Sequence, residues 1–195
     1  MPPNALPTDY PLSLRCHPAT PAPLVRTLEA CVAFQPDGSL LLTYRLRGEI
    51  ARLRIPGPQD AERTDGLWQH SCFEAFVGRQ GDPAYREFNF SPSGQWAAYA
   101  FSDERLRDAA NDPNDAPQIT VHRFADRIEL AAIICAAALP PGTAVLQIGL
   151  AAVVEATETV DGGHSYWALT HPADRPDFHR RAAFALELAD PRQTV

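Results

Sequence analysis

Lysine is absent from this sequence, and all 17 basic residues are arginine. GC-rich coding accounts for that bias more simply than recognition does, so it marks no site by itself. Positive charge is scarce as well: 24 acidic residues leave a formal charge of −7 and a pI near 5.3. Nucleic acid and anionic membranes are bound through clustered basic charge, and neither is expected as a partner. No stretch, Leu130 to Leu139 included, approaches the ~18 uncharged apolar residues of a membrane span. Met1-Pro2-Pro3-Asn4-Ala5-Leu6-Pro7-Thr8 has neither the basic start nor the apolar run of a secretory leader. A soluble protein of the reducing cytoplasm is therefore expected. Cys16, Cys31, Cys72 and Cys135 form no C-x-x-C pair, which disfavours a zinc ribbon or a thioredoxin-type couple and leaves buried free thiols. G-x-S-x-G, a Walker loop and H-E-x-x-H are all missing.

What the sequence holds is alternation. In Cys72 to Val77, Cys72, Glu74 and Phe76 fall on one face and Phe73, Ala75 and Val77 on the other. In Tyr85 to Ser91, Tyr85, Glu87, Asn89 and Ser91 oppose Arg86, Phe88 and Phe90, and Ser91-Pro92-Ser93-Gly94 makes a tight turn into Trp96 to Phe101. The stretch from Leu67 to Phe101 reads as three consecutive antiparallel strands, with two carboxylates, an amide and aromatics able to share a face. Val25 to Gln35 meets Leu40 to Leu46 through an Asp37-Gly38 hairpin, and Ile50 to Ile55 continues the alternation. Asp103 to Ala110 reads as one short helical turn and Ile119 to Phe124 as a strand. Arg127 to Leu139 and Ala144 to Thr157 read as a long hairpin around Pro140-Pro141-Gly142, although alanine there also favours helix. Tyr166 to Leu169 and Phe184 to Leu188 close the pattern around a loop from Thr170 to Arg181. Short strands between Pro- and Gly-rich turns imply an all-β fold, a two-sheet antiparallel β-sandwich. The length suits one domain over residues 1–195, with residues 1–11 a Pro-rich extension.

The string Trp68-x-x-x-Cys72-Phe73-Glu74-x-Phe76, then Tyr85-x-Glu87-Phe88-Asn89-x-Ser91-Pro92 and Trp96-x-x-Tyr99-x-Phe101, resembles bacterial DOMON-like proteins related to family-nine carbohydrate-binding modules. Tyr166-Trp167-Ala168-Leu169, Pro176-Asp177-Phe178-His179 and Phe184 are similar to the same group. One departure is Asp103-Glu104-Arg105, where related chains tend to carry an aromatic before the arginine. The resemblance implies a two-sheet sandwich whose characterised relatives hold sugars or haem in a pocket.

Sugar recognition needs flat rings to stack on a pyranose and fixed polar groups for its hydroxyls. Trp68, Trp96 and Trp167 are the candidate rings, Trp167 foremost, although large aromatics serve equally as core. Glu74, Glu87, Asn89 and Arg105 are the candidate polar contacts. His171 and His179 bracket Pro172 to Phe178, a loop long enough to curl over one end of the sandwich. The expected function is non-catalytic binding of a small polar ligand, with a saccharide leading. Facing carboxylates on neighbouring strands can lie about 5 Å apart, as in retaining glycosidases, so a hydrolase using Glu74 and Glu87 is an alternative. A protein-interaction adaptor and a haem-binding protein are others. Methionine occurs only at position 1, which argues against Met/His haem ligation and leaves a bis-His pair from His17, His70, His122, His164, His171 and His179. Calcium at Asp112, Asn114 and Asp115 would need further oxygen ligands, and a metal at His171, Asp174, Asp177 and His179 fits no zinc signature. No cofactor, metal ligand or catalytic residue is assigned.

Overall fold

The computed structural model describes residues 11–157 and 163–189. Of the expected N-terminal extension, residues 1–10 lie outside the described residues. In chain order the strands are β1 (Leu12–Ser13), β2 (Arg15–Cys16), β3 (Val25–Phe34), β4 (Leu40–Gly48), β5 (Cys72–Arg79), β6 (Tyr85–Phe90), β7 (Trp96–Asp103), β8 (Leu106–Arg107), β9 (Gln118–Arg123), β10 (Arg127–Ile134), β11 (Leu146–Glu155), β12 (His164–Ala168) and β13 (Leu186–Leu188). One antiparallel sheet runs β1-β3-β4-β10-β9, and a larger one runs β2-β12-β11-β5-β6-β7-β8 with β13 also beside β11. The expected two-sheet β-sandwich is borne out.

The two sheets differ in how many faces they bury, and sequence pattern is the cause. In β4, Leu40, Leu42, Tyr44 and Leu46 are buried and Arg45 between them is exposed, the alternation of a sheet with one wet face. β5 is buried at every position and β11 at every position but Gln147. The inner side chains of β5, β6 and β11 meet the smaller sheet: Phe73, Ala75, Val77, Phe88, Phe90, Leu150 and Ala152 pack with Leu28, Leu42, Tyr44 and Leu130 in one core. Their outer face carries a second cluster, in which Phe76, Tyr85 and Phe101 are covered by Ala183 and Phe184 from the C-terminal segment. Glycines permit that close cover. A Cβ at Gly149 would stand 3.1 Å from Phe184 Cδ1, and one at Gly78 would strike the Arg181 guanidinium.

Four local readings are corrected. Ile50–Arg52 is a 3-10 turn instead of a strand, because the chain leaves the smaller sheet there and Leu53 bridges Ala156, just beyond the end of β11. Leu67–Gln69 is likewise a 3-10 turn, entered through Gly66 at φ +77. Residues 127–139 and 144–157 are not a hairpin: β10 pairs β4 and β9, whereas β11 pairs β5, β12 and β13. The apolar run of β11 needs cover on both faces, which only a central place in the larger sheet provides. Buried Arg79 secures the crossing by donating to the carbonyls of Pro140 and Ala144. In place of one helical turn from Asp103 to Ala110 the chain ends β7 at Asp103, forms β8, and enters a 3-10 turn only at Ala109–Asn111.

Trp167, Ala152, Phe73, Phe90 and Trp96 fall in one cross-strand row on the inner face. Both tryptophans are buried in the core, and the Trp167 indole donates to Ser165 Oγ at 3.0 Å. Trp167→Ala is expected to cost about 3–5 kcal/mol in urea unfolding, the usual range for a large core aromatic. Trp68→Ala, at a 52% exposed side chain, should stay within about 0.5 kcal/mol; equal losses at the two positions would contradict this placement.

Candidate functional site

On the outer face of the larger sheet the register stacks three rows. Ala168, Ala151, Glu74, Asn89 and Ala97 make one; Gly149, Phe76, Glu87 and Tyr99 the next; Gly78, Tyr85, Phe101 and Arg107 the third. Small residues at both ends of the first row leave a hollow, while the C-terminal segment fills the face on the other side. The result is a cavity of about 750 Å3, within the range of small-molecule sites. Glu74, Glu87 and Phe76 form its floor, Tyr99, Phe101, Arg105 and Arg107 one wall, and Tyr166 with Pro176 to His179 another. Trp68 and Gln69 stand at the rim.

The expected facing of Glu74 and Glu87 is corrected by this register. Glu74 lies opposite Asn89 and Phe76 opposite Glu87, so the carboxylates are diagonal neighbours, for which Cβ separations are about 7–8 Å or somewhat less. Their surroundings are unequal. Asn89 Nδ2 donates to Glu87 Oε1 at 2.7 Å, and Arg107 and Arg105 favour the anion, but burial prevails and raises the Glu87 carboxyl to about 6. Glu74 is 2% exposed and its Oε1 has no hydrogen-bond partner. Burial first, and the neighbouring Glu87 charge second, push its carboxyl well above the ordinary range.

The walls are tied by polar contacts. Arg105 holds a left-handed backbone at φ +59, and its N–H donates to the Tyr85 hydroxyl at 3.1 Å. That hydroxyl in turn meets His179 Nδ1 at 2.8 Å, and the other ring nitrogen, Nε2, stands 3.7 Å from Glu87 Oε2. Burial and Arg105 lower the His179 pKa to about 4, so at neutral pH this is a contact between a neutral ring and a carboxylate. Arg105 Nη2 pairs with Asp177 Oδ1 at 2.7 Å, joining the β7–β8 turn to the C-terminal segment. Arg107 lies over the Tyr99 and Phe101 rings and is held bidentately by Asp112.

Of the sequence-predicted site residues, the structure brings together Trp68, Glu74, Glu87, Arg105 and His179 at the cavity. Asn89 is fully buried beneath it and acts on Glu87. Trp96 and Trp167 lie on the opposite face of the sheet. His171 is elsewhere, bonding the Arg15 carbonyl through Nε2 and meeting the His17 ring edge-on. Tyr99, Phe101, Arg107, Tyr166 and Phe178 were missed; strand parity with Glu87 across β6 and β7 carries the signal for Tyr99 and Phe101. Among the described residues no group of three His, Cys, Asp or Glu side chains could hold a metal ion. Asp112, named for calcium, is taken up by Arg63 and Arg107.

No protein-family model matches the chain, and no curated protein matches its sequence. Solved structures share its fold. A Bacteroides uniformis ATCC 8492 protein provisionally described as carbohydrate-binding superposes with a TM-score of 0.62 at 15% identity, over 90% of this chain and 83% of its own. A family 9 carbohydrate-binding module from Caldicellulosiruptor kristjanssonii, solved with cellotriose, gives 0.55 at 11% identity over 95% and 86%. A module of the same family and organism, solved with glucose, gives 0.50 at 10% identity over 83% and 76%. At such identities the likeness establishes a carbohydrate-binding-module-like β-sandwich fold.

The Glu74 environment sets a pH signature. Above about 4.5, the ordinary glutamate value, the unfolded chain releases the proton that native Glu74 keeps. Its contribution is therefore full below that value and is lost as pH rises through the native pKa. Glu74→Gln removes the effect, so its stability relative to wild type is expected to climb with pH by up to about 1.4 kcal/mol per unit. Urea unfolding at a series of pH values measures this, and a pH-independent difference would mean that Glu74 titrates as a free carboxylate.

Proposed function

We propose that this protein reversibly binds a small saccharide in the cavity on the outer face of its larger sheet, without catalysis. The observation that carries the reading is the composition of that cavity. A floor of two carboxyls is flanked by guanidinium and imidazole donors and walled by Tyr99, Phe101, Tyr166 and Phe178, with Trp68 at the mouth. Hydroxyl-rich ligands need this mixture of fixed donors, fixed acceptors and ring faces. Support comes also from the fold, shared with modules whose structures hold cellotriose and glucose. Arg105 and Arg107 are committed to Asp177 and Asp112, so they present oriented N–H groups instead of a free positive site for an anion.

The test is a panel of neutral mono- and disaccharides followed by tryptophan fluorescence and thermal shift. Trp68 is the one tryptophan at the cavity, so a saturable fluorescence change is expected from it and should vanish in Trp68→Phe. Ligand binding to the native state alone raises the melting temperature. Glu87→Ala is expected to weaken binding about tenfold or more, the scale of a lost charge-assisted hydrogen bond. A panel that produces neither signal at millimolar concentration would overturn the reading. Release of free sugar from a glycoside, lost in Glu74→Gln and Glu87→Gln, would replace binding with hydrolysis.

A further inference from the structure

The two floor carboxyls are asymmetric in a way that specifies what sits above them. Glu87 is fixed as an acceptor: its Oε1 takes the Asn89 amide proton, and Oε2 faces the Nε2 edge of His179. Glu74 makes no ion pair among the described residues, and its Oε1 is enclosed without a partner. The thiol next to it, Cys72, is turned to Asn89 Oδ1 and to backbone carbonyls. A buried carboxyl lacking donors is stable only as the neutral acid, which then has a proton to give.

We propose, resting on the saccharide reading, that Glu74 and Glu87 act as a mixed pair, one acid and one carboxylate. Together they read two adjacent hydroxyls of an uncharged sugar, and binding is linked to retention of the Glu74 proton. The acid donates to one hydroxyl oxygen while the carboxylate accepts from the neighbouring hydroxyl. An amino sugar would be held best by two ionised carboxylates, and a uronate would oppose the Glu87 charge, so neither belongs to the ligand class.

The other charged and titratable groups facing the pair are accounted for. From β7 and the turn after it come Tyr99, hydrogen-bonded to Asp65, and Arg105; from β8 comes Arg107. From the C-terminal segment come Asp177, paired with Arg105, and His179; from β6 comes Tyr85 and from β12 Tyr166. Burial raises Tyr85 to about 12 and Tyr99 higher still, and His179 at about 4 stays neutral. Glu87, at about 6, governs the acid side. Loss of affinity on the alkaline side thus belongs to Glu74.

Isothermal titration of the tightest-binding panel sugar from about pH 5 to about pH 9 reads the linkage. Wild-type affinity is expected to fall on the alkaline side, approaching about tenfold per pH unit. Glu74→Gln, whose amide donates without titrating, should be flat there, and Glu74→Ala should bind at least about tenfold more weakly. A wild-type alkaline profile already flat, the same fall in Glu74→Gln, or an amino sugar that tightens as pH rises would overturn the proposal. Carbon NMR of glutamate-labelled protein follows the pair with no ligand present. One carboxyl titrating well above the ordinary glutamate range and absent from Glu74→Gln is expected, and two carboxyls that both titrate in the ordinary range would overturn the mixed pair. If the NMR result holds while no sugar binds at any pH, the saccharide reading is what fails.

Discussion

Everything in this molecule turns on the outer face of one sheet, which is too apolar to leave in water and too polar to seal. Phe76, Tyr85 and Phe101 demand cover, while Glu74 and Glu87 on the same strands resist it. The C-terminal segment settles the conflict by covering half. Phe184 and Arg181 press onto the glycines at 78 and 149, and the Pro176 to His179 stretch stops short, as a wall. The cavity is what remains over the carboxyls, and a β-sandwich whose inner faces already make a complete core has no structural need of it.

The electrostatics follow from that half-cover. Each guanidinium at the cavity is paired with an aspartate from another element, so Arg105 and Arg107 position walls as much as they charge them. Burial raises both carboxyls, and Asn89 separates them by donating to Glu87 and not to Glu74. The Tyr44 hydroxyl reaches across the core to the Glu74 carbonyl at 2.8 Å. The smaller sheet thereby steadies the strand that carries Glu74.

Much of this was legible in the sequence. The face partition of residues 72–77 and 85–91 followed from period-two alternation, and the turns at Asp37-Gly38 and Ser91 to Gly94 from residues suited to positive φ or tight geometry. The role of the tryptophans was not legible, because alternation says which residues share a face and not which face the core takes. Only the cross-strand register, which sets Trp167, Ala152, Phe73, Phe90 and Trp96 in line, assigns them inward. The separation of β10 from β11 was hidden for a related reason: Pro140-Pro141-Gly142 reads as a turn whether the chain doubles back or changes sheet. The far wall was the least visible part, since its partners stand dozens of residues away.

That distance has a kinetic meaning. Tyr85 and His179 are 94 residues apart in sequence, and Arg105 and Asp177 are 72 apart. Contacts so remote form only after a large loss of chain freedom, which makes them slow to assemble. The sheets themselves close over comparable separations, Ile134 with Leu40 and Trp167 with Cys16 among them, so the cavity is a product of the whole chain: a fragment ending before the C-terminal segment has the floor and lacks the far wall.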